Sequence, residues 1–323
     1  MNNTINQQHS QNPPSLIYTA PQAADDEIDL RELFIIIWQG KWLILFTAII
    51  FGTIGGVYAF LQPNIYQSNV LLAPASVDSS SRLTSMASQL GGLASLAGIN
   101  VGSGGDTEKV DYALQVLESR RFIGDFITNH RLLVPLMATR GWDRKSRKLI
   151  YKKNIYNINN KKWLVSDGKN ITPTLLQSIH YFKKHILNQN IDKKNNTVNL
   201  TVDFYSPIIA RKWAKWLVDD LNNEIRQQDM LDAQNSINYL NQQIKKTSLA
   251  DTRSMLYQLI EQQTKTLMLT KVRKEYVFKT IDPAVIAENP IKPKRKLIVI
   301  VASILGIFIA IFWVFIRKLI QKR

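Results

Sequence analysis

The chain has 323 residues, enough for a folded core together with membrane anchors. It contains no cysteine, which excludes a disulfide framework, a thiolate zinc site and a cysteine nucleophile. Its net charge of +16 favours polyanionic partners, whether acidic lipid, acidic glycan or nucleic acid.

Residues 1–42 are rich in Gln and Asn, carry Pro13, Pro14 and Pro21, and read as a partly disordered tail. An acidic lead-in follows, with Asp25, Asp26, Glu27, Asp29 and Glu32. Residues 43–61 then hold no charge over 19 positions. At about 1.5 Å per residue such a helix reaches roughly 30 Å, the thickness of the hydrocarbon layer. The acidic flank and the lack of a small-x-small site argue against a cleaved signal peptide. Arg31 and Lys41 precede this span and no basic residue follows until Arg82, so the amino terminus is expected inside. Trp38 and Trp42 suit the interface. Ala48, Gly52 and Gly56 recur every four residues and offer a face for close helix packing.

Residues 62–296 carry a net charge of +15 and are expected to lie across the membrane from both termini. The part over 62–206 reads as an α/β base. Ile65 to Ala73 is strand-like, and a serine cluster follows (Ser79, Ser80, Ser81). The glycine-rich stretch from Ser88 to Asp106 lacks the Gly-Lys-Ser/Thr ending of a phosphate cradle and reads as a mobile loop. Lys109 to Thr128 predicts one amphipathic helix with Val110, Ala113, Leu114, Leu117 and Phe122 on one side. From Arg144 to Lys162 there are eight Lys or Arg and no acid, with Tyr151, Tyr156 and Trp163 nearby. That pattern suits a lipid headgroup, an acidic glycan or plain solvation. Thr197 to Phe204 alternates polar and apolar residues as a half-buried strand does.

The part over 207–282 is helical. Ser206-Pro207 suits a helix start, with a cap residue and proline at the first position. From Ile208 to Asp282 there is neither Gly nor Pro, and Thr247, Ser248 and Asp251 offer one break. The segment is a helical hairpin or one long bent helix, returning through a strand-like run from Tyr276 to Ile281. Residues 283–296 form a proline-rich basic joint with Pro283, Pro290, Pro293, Lys294 and Arg295. Pro290 and Pro293 fix φ and stop a helix from running straight into the membrane. Lys292, Lys294, Arg295 and Lys296 fit headgroup level.

The second span, 297–316, is uncharged over 20 positions, with Ala302, Gly306 and Ala310 on one face and Trp313 near its end. Residues 317–323 are expected inside, and so short a tail leaves no room for a kinase or sensor output module. No Gly-x-Ser-x-Gly or His-Glu-x-x-His occurs, and His180 and His185 are five apart, off a shared helix face. Catalytic, cofactor and metal residues are therefore not assigned, and a periplasmic glycan hydrolase is disfavoured. The fold class read from these elements is an α+β membrane protein. Two transmembrane helices flank an α/β base with a long projecting helix or hairpin.

The proline joint, the Ile28-Asp29-Leu30 lead-in with Trp38, Lys41 and Trp42, and Ser206-Pro207 with Ala210 resemble the polysaccharide co-polymerases. More narrowly, they resemble the Wzz chain-length determinants of lipopolysaccharide O-antigen. The resemblance implies a periplasmic domain and a ring-shaped homo-oligomer in the inner membrane. It implies work beside the Wzy polymerase on a lipid-linked glycan, without catalysis by this chain. Enterobacterial common antigen is an alternative glycan. A secretion-system adaptor also has long periplasmic helices, but the second span with its proline lead-in counts against it.

Overall fold

The structure, a computed structural model, describes Trp38 and residues 40–75, 105–166, 169–170 and 172–321. The amino-terminal tail with its acidic lead-in, the Ile28-Asp29-Leu30 signature, Arg31, the serine cluster, Arg82 and the glycine-rich stretch as far as residue 104 lie outside the described residues. So do Lys322 and Arg323. Contacts divide the chain into two units, residues 55–299 and residues 1–54 with 300–323.

The first apolar run forms helix α1, Lys41–Leu61, and strand β1, Tyr66–Pro74, follows. The stretch read as one helix over 109–128 is two, α2 (Gly105–Glu118) and α3 (Arg120–Asn129). The break has a local cause. Ser119 adopts extended backbone, and its hydroxyl accepts a hydrogen bond from the Phe122 N–H, which caps α3. The apolar stripe continues across the break, since Val110, Ala113, Leu114, Leu117 and Phe122 are all buried.

Helix α4 (Leu133–Ala138) leads into the hairpin of β2 (Thr139–Asp143) and β3 (Lys148–Tyr151). Two shorter pairs come next, β4 (Tyr156–Asn157) with β5 (Lys162–Trp163) and β6 (Val165–Ser166) with β7 (Lys169–Asn170). Helix α5 (Leu175–His185) opens with a capping box between Thr174 and Gln177. Strands β8 (Leu187–Asp192) and β9 (Thr197–Phe204) form a further hairpin.

The long helical region is a hairpin of α6 (Pro207–Lys246) and α7 (Ala250–Val272). Thr247 and Leu249 are extended and turn the chain between them. Helix α6 is about 60 Å long at 1.5 Å per residue. Pro207 takes its first position, but Ser206 is buried and makes no capping bond with its side chain. The chain closes with β10 (Phe278–Asp282) and α8 (Arg295–Gln321).

Strands β10, β1, β9 and β8 lie in that order in one antiparallel sheet. Val198, Leu200, Val202 and Phe204 of β9 are buried on one face, and Thr201 and Asp203 on the other are buried as well, so alternation with partial exposure holds only over the first half of the strand. Trp213 of α6 lies 4.4 Å from Phe204 and 6.2 Å from Phe182, ring centre to ring centre, and joins helix, sheet and α5 in one core. The chain is thus an α+β protein, and α1 and α8 are both long and apolar enough to cross a membrane.

Candidate functional site

The proline joint is not a free linker. After β10 the chain from Pro283 to Lys294 forms no helix or strand and is tied to β1 and α6. Ser68 Oγ donates to the Val285 carbonyl at 2.9 Å, and Arg211 Nε donates to the Ala284 carbonyl at 3.1 Å. Further on, Ile65 and Lys292 form an antiparallel bridge. Ile65 N–H donates to the Lys292 carbonyl at 3.0 Å, and Ile291 N–H donates to the Ile65 carbonyl at 2.8 Å. Proline suits this path because Pro290 and Pro293 need no acceptor for a missing N–H.

Charge reinforces the strap. The Lys292 ammonium lies 3.1 Å from the Asp203 carboxylate, which also accepts a 2.8 Å hydrogen bond from Gln67. Asp203 is buried while the Lys292 side chain is 56% exposed, so solvent screens the pair and the backbone bridge carries most of the tie. Arg295, the first residue of α8, donates to the Asn64 side chain at 2.9 Å and stands 5.5 Å from the Phe60 ring. Pro283 and Lys294 are exposed, and Lys294 enters no ion pair among the described residues. The residues that hold the joint, Asn64, Ile65, Ser68, Asp203 and Arg211, have no sequence signature, because each acts across more than seventy positions.

A cleft of about 570 Å³ opens beside the strap, with Tyr181, Lys184, His185, Asp203, Tyr205 and Lys292 on its walls. Burial, with Tyr205 close by, pushes the Tyr181 hydroxyl up to about 12, so it is a donor at neutral pH. Among the described residues no three His, Asp or Glu side chains gather to hold a metal ion.

A second fixed point lies where α7 returns to the sheet. Asn222 of α6 is buried, and its side-chain oxygen accepts from the backbone N–H of Tyr276, Val277 and Phe278. Its amide donates to the Phe278 carbonyl at 3.0 Å. One side chain therefore satisfies four backbone groups that have to be buried. Nearby, Asp229 accepts from Tyr276 and pairs with Lys109, each at 2.7 Å. Burial, then the bond to Asp229, raises the Tyr276 hydroxyl well above its ordinary value.

The small residues of the spans fall at close approaches. A Cβ added at Gly52 would meet Ser303 Oγ at 2.7 Å. One at Gly306 would meet Phe51 Cβ at 2.8 Å and the Thr47 carbonyl at 3.0 Å. Gly306 and Ala310 are buried, while Ala48, Gly52, Gly56 and Ala302 are half-buried. In the other unit, Gly56 approaches Val299 with room to spare, at 3.8 Å. Gly55 and Ala59 are buried too, although the four-residue count over α1 passes them by. Packing uses the three-residue step as well as the four-residue step, and the count followed only one of them.

Comparison with known proteins fits these elements. Residues 26–130 match the family model described as Wzz, chain length determinant protein. Residues 246–319 match a second, GNVR, described as a G-rich domain on putative tyrosine kinase. Among solved structures, a full-length bacterial polysaccharide co-polymerase is 14% identical, over 91% of this chain and 99% of its own, at a TM-score of 0.38. A fragment of WzzB, the polysaccharide co-polymerase from Salmonella Typhimurium, is 11% identical over 71% and 100%, at a TM-score of 0.27. No curated protein matches the chain. The chain is thus similar to the Wzz chain length determinant family over residues 26–130, across the first apolar helix, and to the GNVR family over residues 246–319, across the second.

Proposed function

We propose that the chain sets the modal length of lipopolysaccharide O-antigen, as a non-catalytic scaffold of several copies acting beside the Wzy polymerase. In this reading α1 and α8 cross the bacterial inner membrane, both termini are cytoplasmic, and residues 62–296 stand in the periplasm. The growing lipid-linked glycan meets that body. Pro283, Pro290, Pro293, Lys294 and Arg295 act as the joint. Ala48, Gly52, Gly56, Ala302, Gly306 and Ala310 serve helix packing in the membrane.

The observation that carries the reading is the strap at Ile65 and Lys292. It ties the α+β body to the residues that enter α8, so the body and the start of that helix are held together. That is what a length gauge needs, and the chain length determinant match supports it. The GNVR match over residues 246–319 favours, as a second reading, another surface polysaccharide such as enterobacterial common antigen.

Deletion of the gene tests both. On a silver-stained gel we expect the O-antigen ladder to lose its modal cluster while sugars stay attached to lipid A–core. An unchanged ladder contradicts the O-antigen reading, and a changed enterobacterial common antigen profile in the same strain then supports the second.

A further inference from the structure

The eight cations from Arg144 to Lys162 stand on the β2–β3 and β4–β5 hairpins and the chain between them. All eight side chains are exposed, and none enters an ion pair among the described residues. A surface that only needs solubility mixes the two signs of charge, whereas the run from Arg144 to Lys162 holds no acid and Asp143 beside it is the one carboxylate of these hairpins. Two of the cations occupy turn positions in the left-handed region, Arg147 at φ 54° and Lys161 at φ 50°. Glycine or asparagine sits there with less strain. Ile150 and Ile158 stand exposed among these charges.

The place of the module narrows the partner. Gly141 of β2 lies against Pro63, where an added Cβ would be 4.0 Å from the proline Cβ. The Trp142 ring meets the Tyr66 ring edge-on at 5.8 Å. Pro63 comes two residues after Leu61, where the apolar helix α1 ends. A span that ends at Leu61 brings Pro63 to the headgroup layer, and β2 with it.

We infer that the hairpins of residues 139–163 form a docking surface for anionic phospholipid beside the first span. Arg144, Lys145, Arg147, Lys148 and the lysines of β4–β5 meet lipid phosphates, and the two isoleucines fit the boundary with the acyl chains. A glycan or a nucleic acid has charge for the lysines but no use for exposed isoleucines next to a membrane span. The inference needs α1 to be a span and is independent of which glycan the protein regulates.

Because the chain lacks cysteine, one introduced thiol reports cleanly. The full chain carrying Asn159→Cys, labelled with a polarity-sensitive fluorophore, is placed in nanodiscs of phosphatidylcholine alone or with phosphatidylglycerol. Gln242→Cys in α6 is the control. We expect acrylamide quenching at position 159 to fall by about half with phosphatidylglycerol and to recover in high salt, with position 242 unchanged. The variant K152Q/K153Q/K161Q/K162Q removes the effect, and the salt arm reads the same charge dependence without any substitution. Equal quenching in both discs overturns the inference. So does protection in neutral discs that appears only with an added acidic polysaccharide, which would make glycan the partner. Co-elution with the discs reads the span separately, and a chain that stays outside them overturns its premise.

Discussion

In the first half of α6, Ala210, Trp213, Ala214, Leu217, Val218, Leu221, Asn222 and Ile225 are all buried, whereas beyond residue 226 only Ala233 and Ile244 are. Within α7 the one buried residue is Thr270. The distal hairpin instead exposes Leu231, Tyr239, Leu249, Met255, Tyr257 and Met268. One helix thus serves two purposes. Its near half is fixed by its own chain, through the sheet, α5 and the Asn222 clamp. Its far half keeps apolar surface that a lone soluble domain rarely shows, and self-assembly in the proposed function would cover it.

Equal truncations should therefore have unequal effects along one helix. Trp213→Ala opens the core between Phe204 and Phe182 and is expected to cost about 3–5 kcal/mol, read from urea unfolding in detergent. Leu231→Ala in the same assay is expected to stay within about 0.5 kcal/mol. Comparable losses at both positions would erase the distinction between the halves.

Asn222→Ala removes a clamp without making a large cavity. Three buried N–H groups and one carbonyl lose their partner, at an expected cost of about 1–3 kcal/mol. Proteolysis should then cut first around residues 273–278, where α7 returns to the sheet. Gly306→Val drives a branched side chain into Phe51 and the Thr47 carbonyl, at an expected cost of about 1–3 kcal/mol. Thermal unfolding in detergent reads it. Val301→Leu, an enlargement at an exposed position of the same helix, should be silent.

In the far half, Leu231→Ser with Tyr257→Ser should shift unfolding by no more than about 0.5 kcal/mol. We expect the mass of the assembly, by light scattering, to fall nonetheless. A fall in stability with unchanged mass would mean that the far half is also held within the chain.

The smallest effect concerns pH. The Ser146 side chain, then the Lys145 and Ser146 backbone N–H groups, hold the Asp143 carboxyl below the usual carboxylate range. Asp192 is lowered in the same way, first by the Lys194 N–H and then by the Asn195 side chain and N–H. A lowered folded value means that these turns stabilise fully above the unfolded value of 3.8 and lose that contribution as pH falls through the folded one. Amide protection factors at residues 144–147 and 193–196, taken relative to other hairpin turns, should stay constant at neutral pH and fall only in strong acid.

Much of the fold is legible in the sequence where one local pattern decides it. TVNLTVDF gives β9, and Pro207 marks the start of α6. The region of α6 and α7 leaves two outcomes open because neither Gly nor Pro breaks it. Residues 247–249, with Thr247 and Leu249 extended, make the turn instead. Helix α5 escapes a reading by apolar stripe, although Thr-x-x-Gln at 174–177 is a capping signal. Strand β8, Leu-Asn-Gln-Asn-Ile-Asp, is too polar to stand out and forms because β9 offers it an edge. Asn222 looks like one more amide on a Gln- and Asn-rich helix. Its partners lie more than fifty residues away, and no local pattern records such a distance.

The most direct measurement is complementation of a deletion strain, followed on a silver-stained gel. With this chain restored, we expect O-antigen to gather again into a narrow modal cluster, and without it to spread into an unregulated ladder. The same ladder with and without the chain would contradict its assignment as an O-antigen length regulator.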